Sequence, residues 1–281
     1  MTGNIFLVAS TQPYFPGITD YLQHIGASDW TSDGRGGELV SEIAGRLCYK
    51  SFAPGLNPNV TRVREGNSEY LGNIIRQKHG SVFEHSTASL IFTDVSRIFT
   101  HELVRHRPGI AISQESQRFV RLDTFDVYIP ELTPVFMKVA EYALPTEDPA
   151  DYAQFAQQRF AAIMDGIAVE AREALKGLAN DLMLNWDQLP FHLKKQLTSA
   201  FRRGIPGGVN TAIMVTGNHR IWRHVIQNRT SAGAEEEIAH VFGQVAVLFS
   251  SVWPAFYQDM VSTPPNADCP WTQYAFVAAK I

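Results

Sequence analysis

The sequence predicts an α/β fold: a single domain in which a small mixed or antiparallel sheet is packed by long helices, with a helical insertion at residues 131–200. Three observations predict it. Short β-branched and apolar runs bounded by turn residues recur at 4–10, 86–93, 125–130 and 209–216, as strands do. Between them, apolar residues return at three- and four-residue spacing, the period of a helix with one buried face. No internal repeat, low-complexity segment or clear linker divides the 281 residues, a length that suits one large domain.

Taken in order, NIFLVAS (4–10) is the first strand, followed by a turn-rich piece around Pro13, Pro16 and Gly17. After Gly37, ELVSEIAGRLCYKS places Leu39, Ile43 and Leu47 four residues apart, an amphipathic helix with Cys48 at its end. Cys48 reads as a small buried hydrophobe. Only Arg46 and Lys50 stand near it in sequence to favour a thiolate, so a nucleophile is not indicated. A second helix spans 62–78, with Tyr70, Ile74 and Ile75 on its apolar side. It ends at His79-Gly80, where glycine suits a left-handed cap. His79, Ser81, Glu84 and His85 then cluster ahead of the strand STASLIFT, a common place for functional side chains. Their spacing fits no helical metal-ligand pair, and capping and packing would also account for all four.

A helix over 96–107 comes next, ending in Arg105-His106-Arg107 where Pro108-Gly109 breaks it. A polar loop with Ser113, Gln114, Glu115, Ser116, Gln117 and Arg118 follows. The helix dipole favours cations at its carboxyl end. Guanidinium beside hydroxyls and amides makes a phosphate site possible. Taken alone, the triplet reads better as a solvated basic helix end than as such a site. FDVYIP (125–130) is a short strand, and 131–200 is helical, with Tyr152, Phe155, Phe160, Ile163, Ile167, Val169 and Leu175 on one long amphipathic helix or a pair. That face suits core or a subunit contact and carries no chemistry. Residues 209–216 form a strand, Asn218 caps a helix whose buried face holds Ile221, Trp222, Val225 and Ile226, and Glu235-Glu236-Glu237 opens the next helix.

With 24 basic against 28 acidic residues, the net charge of −4 argues against general nucleic-acid binding, so any anion site must be local. The composition, 45% hydrophobic and 19% charged, is that of a globular chain with a sizeable core. No stretch reaches membrane length, and the N-terminus lacks a basic signal-peptide start. The two cysteines, Cys48 and Cys269, form neither a disulfide framework nor a zinc spacing, so the expected setting is a reducing cytoplasm with no metal. Gly-x-Gly-x-x-Gly after a strand, a P-loop lysine motif and a serine hydrolase elbow are all missing. What remains is a scattered set of arginines beside small or polar residues: Arg105, Arg107, Arg118, Arg202, Arg220 and Arg229. Converging, they would bind a polyanion such as a nucleotide or flavin nucleotide.

Arg105-His106-Arg107 followed by Ser116-Gln117-Arg118-Phe119 resembles the signature of the flavin-dependent thymidylate synthases, the ThyX family. Three more blocks resemble it in the same order. They are Arg46-Leu47-Cys48-Tyr49, the run from His79 through His85, and Val215-Thr216-Gly217-Asn218 with Trp222-Arg223-His224 and Arg229. The resemblance implies FAD held by Ser81, Arg105, His106, Arg107, Asn218, Arg220 and His224, with Gln114 also at the flavin. It implies a nucleotide held by Arg105, Ser116, Gln117, Arg118, Arg202 and Arg229, with the backbone of Gln114 and Glu115 contributing and Glu102 facing uracil or phosphate. Arg229 would be the catalytic residue, stabilising negative charge on the ring amide. Further implications are methylenetetrahydrofolate as carbon donor, NADPH to regenerate the reduced flavin, and a homotetramer whose subunits share active sites. The family is thought to use no enzyme nucleophile, consistent with an unactivated Cys48.

Three features depart from the family pattern. Eight residues, 108–115, separate the triplet from Ser116 where seven are usual, Glu102 stands where glutamine is common, and Gly233 replaces a frequent histidine. The added residue falls in the segment expected to touch the nucleotide. The resemblance implies dUMP as substrate, and the added residue makes UMP in a nucleoside-antibiotic pathway the alternative; a hydrogen bond to a 2′-hydroxyl discriminates strongly between them. A non-catalytic nucleotide- or flavin-binding paralogue is the rival class, and an RNA-binding protein is disfavoured by the charge.

Overall fold

The computed structural model describes residues 3–52, 56–60, 62–118, 125–143, 148–266 and 268–278. Phe119, the last residue of the signature, lies outside them. The fold is mixed α/β, as its alternating patterns predict.

Strand β1 (Asn4–Ser10) comes first. The turn-rich piece after it is in fact helix α1 (Phe15–His24), with Pro16 in the first turn, where its missing N–H leaves no bond unmade. Helix α2 (Gly36–Tyr49) forms as predicted, but its last turn runs past the packed part of its face. Leu47 and Cys48 are both exposed there, which overturns the buried reading of Cys48. The packed part instead encloses an ion pair, Arg46 Nε donating to Glu42 Oε1 at 2.8 Å, with Arg46 also stacked on Tyr70. Gly37 is required by close approach: a Cβ there would lie 1.7 Å from Ser86 Oγ.

Helix α3 (Asn67–Arg76) is shorter than predicted at both ends. Lys78, not Gly80, takes the left-handed conformation at φ 59°, letting the Lys78 and His79 amides donate to the Ile75 and Ile74 carbonyls. Gly80–His85 then winds into a 3-10 turn. Strand β2 (Thr87–Ser96) runs into helix α4 (Arg97–Leu103), capped by Ser96 Oγ accepting from the Phe99 amide at 3.0 Å. Because α4 stops at Leu103, the arginine triplet lies beyond the helix rather than in its last turn. The segment expected as loop contains strand β3 (Ile110–Gln114), where Ile110, Ile112 and Gln114 alternate with exposed Ala111 and Ser113. FDVYIP makes only an isolated antiparallel bridge, Val127 opposite Val209, before Pro130.

Helices α5 (Thr133–Ala143), α6 (Pro149–Asp181) and α7 (Phe191–Phe201) fill most of the predicted helical stretch, and the long amphipathic pattern is one helix, α6. Strand β4 (Asn210–Asn218) leads into α8 (His219–Arg229), with Asn218 Oδ1 accepting from the Ile221 amide at 2.9 Å as the predicted cap. Helix α9 (Glu236–Val252) is capped by Glu235. Three further elements have no sequence-predicted counterpart: α10 (Pro254–Tyr257) and the antiparallel hairpin of β5 (Met260–Thr263) with β6 (Gln273–Phe276).

Strands order as β1-β2-β4-β3 in one sheet and β5-β6 in another. The chain forms two compact units. The first comprises Met1–Asn4, Phe92–Arg105 and Ser113–Ile213; the second comprises Ile5–Ile91, His106–Ile112 and Met214–Ile281. The first unit buries Phe92 against Phe99 and packs α5 on α6 through Phe136 and Phe160. The second buries Leu71, Ile74, Phe83, Trp222, Phe242, Phe249 and Phe256, and Trp222 Nε1 donates to the Ala88 carbonyl. No described helix is long and apolar enough to cross a membrane.

Candidate functional site

Within the second unit, helix α8 sets the geometry. Its buried stripe of Trp222, Arg223, Val225 and Ile226 fixes the rotation of the helix. That rotation leaves Arg220 and His224 exposed and Arg229 half-buried. Arg229 Nε donates to His106 Nε2 at 2.8 Å. An imidazole accepting at Nε2 carries its proton on Nδ1, so His106 is held as the neutral tautomer. Its ring meets His224 edge to face, centroids 5.7 Å apart, and the Asn228 amide hydrogen-bonds the His224 ring. Arg220 is ion-paired with Glu84 of the 3-10 turn.

Asn218, Arg220 and His224 line one cavity of about 370 Å³, with Glu84, Pro108 and Gly109. Gly109, at φ 73°, is placed by the turn after the triplet so that a Cβ would come 3.3 Å from Asn218 Nδ2. Three residues that the resemblance assigns to flavin thus share one cavity, whereas Ser81 and Arg107 are exposed and do not line it. The cavity combines amide, imidazole and guanidinium groups with apolar wall, the donor set that suits a heteroaromatic cofactor. Nearby in sequence, His79 stacks on Tyr49, whose hydroxyl is hydrogen-bonded to His79 Nδ1. Among the described residues, no cluster of His, Cys, Asp or Glu side chains is arranged to hold a metal.

The first unit gathers most of the residues assigned to the nucleotide. Both carboxylate oxygens of Glu102 accept from Arg105 Nη1 at 3.1 Å, across the i,i+3 spacing of a helical turn. Gln114 Nε2 donates to Thr100 Oγ1 at 2.7 Å. Glu115 has its backbone engaged on both sides: its amide donates to the Ala212 carbonyl at 2.9 Å and its carbonyl accepts from Arg97 Nη2 at 3.2 Å. Ser116 Oγ accepts from the Arg118 amide at 3.3 Å. Gln117 is half-buried, and Arg118 and Arg202 are exposed.

Arg97 is the residue that sequence reasoning missed. Burial pushes its guanidinium pKa down; Glu115 opposes that shift and Arg202 adds to it. Its Nε is buried without a hydrogen-bond partner. Two arginines close enough to repel, one of them partly desolvated, form a local field that an anion would relieve. A signal was available: Arg97 opens α4, where the helix dipole disfavours a cation, so its presence there needs another reason.

A family model described as thymidylate synthase complementing protein matches residues 31–255. The chain is 33% identical over 242 residues to a protein named flavin-dependent thymidylate synthase from Mycobacterium sp. (strain JLS), covering 84% of each. It is 34% identical over 238 residues to the protein of the same name from Mycobacterium tuberculosis (strain ATCC 25618 / H37Rv), covering 83% of this chain and 84% of that one.

Proposed function

The chain belongs to the flavin-dependent thymidylate synthase family, and on that premise we propose that it methylates C5 of the uracil ring of dUMP, giving dTMP. FAD, NADPH and methylenetetrahydrofolate are the cofactors and co-substrate of that chemistry. The observation that carries the reading to this chain's own residues is the cavity shared by Asn218, Arg220 and His224 beside the Arg229–His106 hydrogen bond. Those residues would hold the flavin together with Ser81, Arg105, His106, Arg107 and Gln114. When bound and reduced, the flavin would supply the hydride that completes the methyl group.

The protein's own share is binding, orientation and charge. Arg105, Gln114, Glu115, Ser116, Gln117, Arg118 and Arg202 hold the nucleotide, and Arg97, which binds the Glu115 carbonyl, fixes the segment that approaches it. Glu102 neutralises part of the Arg105 charge, leaving Arg202 and Arg118 to face phosphate. Arg229 stabilises negative charge on the uracil amide and so makes C5 nucleophilic without an enzyme thiol. The exposed Cys48 has no part in this.

We also read the chain as one family domain with residues 131–200 inserted in it, cytoplasmic and assembled as a homotetramer. The exposed apolar residues along α6, among them Phe155, Ile163, Ile167 and Val169, support self-association. The reading is tested by incubating the purified protein with FAD, NADPH and methylenetetrahydrofolate and measuring tritium release from 5-tritiated dUMP and UMP side by side. Release from dUMP is expected. Release from UMP alone would move the substrate to the ribonucleotide, and release from neither, by a protein that still binds flavin, would leave a binding paralogue.

A further inference from the structure

Phe276 and Ala278 line the same cavity as Asn218, Arg220 and His224, yet they follow the segment matched by the family model, which ends at residue 255. From this we propose that the C-terminal hairpin is a working wall of the cofactor pocket and that Phe276 is a specificity-determining residue for a flat heteroaromatic ring. The inference rests on the flavin reading above and extends it to an element that the family match leaves out.

The hairpin is held on α8 by contacts along its length. Arg223 makes a two-pronged ion pair with Asp259, Nη1 to Oδ1 at 2.7 Å and Nη2 to Oδ2 at 3.0 Å. Asp259 Oδ2 also accepts from the Ala278 amide at 3.1 Å, and Gln227 Oε1 accepts from the Phe276 amide at 3.4 Å. At the other end of β6, Thr230 Oγ1 accepts from the Tyr274 amide at 3.0 Å and donates to the Tyr274 carbonyl. These contacts tie the aromatic wall to the helix that carries Arg220, His224 and Arg229.

Phe276 itself is a rigid, preorganised surface. It is 5% exposed, and the Arg223 guanidinium sits 3.9 Å from its ring centroid. Phe276 borders the cavity with Ile221 and Ala278, opposite in chemistry to Asn218, Arg220 and His224. A wall of flat apolar surface with amide and cationic groups beside it selects a planar ring bearing hydrogen-bonding edges, as flavin and adenine rings do.

Titrating flavin-free protein with FAD, followed by quenching of flavin fluorescence, tests the assignment. Phe276→Leu, which keeps a buried apolar side chain but removes the flat ring, and Phe276→Ala are each expected to raise the dissociation constant about tenfold. Phe276→Tyr is expected to bind close to wild type. The thermal midpoint of the flavin-free Leu variant should stay near wild type. A Leu variant that binds FAD as tightly as wild type overturns the inference while leaving the flavin reading intact. Loss of affinity that follows a fall in the midpoint, without recovery in the Tyr variant, overturns it too by making the residue structural. A wild-type protein that takes up no FAD overturns the flavin reading and this inference with it.

Discussion

Arg229 and His106, 123 residues apart in the chain, are joined by a hydrogen bond of 2.8 Å from Nε to Nε2. The bond ties the last residue of α8 to the centre of the arginine triplet. It also commits one edge of the guanidinium to protein, which orients the rest of that side chain. Arg229 therefore sets the tautomer of His106, and in the proposed reading it also presents charge to the uracil ring.

Arg229→Ala is expected to lower methylation by about a hundredfold or more, the usual consequence of removing one donor aimed at developing charge. Flavin should remain bound, because Asn218, Arg220 and His224 keep their cavity. Tritium release from 5-tritiated dUMP and the flavin absorbance after desalting measure the two effects separately. Normal turnover in the variant would remove the role assigned to Arg229.

Arg97→Ala should act on the nucleotide and not on the flavin. It removes the donor to the Glu115 carbonyl and one of two neighbouring cations, Arg97 and Arg202. A charge-assisted hydrogen bond of this kind is worth about 2 kcal/mol, so KM for dUMP is expected to rise roughly tenfold or more. Arg97→Lys should not restore it, since an ammonium lacks the planar fork. Steady-state kinetics alongside flavin content decides the matter, and an unchanged KM would count against a nucleotide role.

The elements that could be read in the sequence are those whose cause is local. Asn218 and the Glu235 run announced their helices because capping depends on neighbours three residues away. The arginine triplet lies past its expected helix end, because α4 stops at Leu103, short of the Pro108-Gly109 break that the sequence marks. Strand β3 was hidden because Ala111 and Ser113, small and polar, blur a two-residue alternation that only Ile110 and Ile112 declare. Cys48 departs from the buried expectation because its exposure follows from where the packing on α2 ends, which no residue near it encodes. The hairpin had no sequence signal of its own: it is fixed by Asp259 meeting Arg223 and Gln227 meeting Phe276, pairs separated by 36 and 49 residues.

That hairpin should be sensitive to its ion pair. The Arg223 and Asp259 side chains are 3% and 12% exposed, so removing one partner leaves a buried charge unpaired. Asp259→Ala is expected to destabilise the protein by about 3 to 5 kcal/mol, read as a shift in the urea unfolding midpoint. Hydrogen exchange should speed up first in residues 260–276. A uniform change across all elements would show that the pair does not act locally.

His219 gives the stability a defined pH dependence. The side chain is fully buried, stacked edge-on against Trp253 and close to Phe256, with Nδ1 3.0 Å from the Tyr257 hydroxyl and Nε2 lacking a partner. Burial pushes its pKa down to about 3, from 6.5 in the unfolded chain. The unfolded state therefore takes up a proton that the folded state refuses. The contribution is fully present above pH 6.5 and is lost as pH falls toward 3, at a limiting slope of about 1.4 kcal/mol per pH unit. Glu235 works in the opposite sense: burial raises its pKa to about 7, so its contribution is favourable at low pH and is lost as pH rises through 7. Comparing wild type with His219→Phe cancels Glu235, because both proteins contain it. Phenylalanine fits the aromatic surroundings but cannot titrate, so below pH 6.5 the variant should gain stability relative to wild type with each step down in pH. Urea midpoints measured at pH 7, 6 and 5 test this, and a constant difference across the three would show that His219 does not stay neutral in the folded protein.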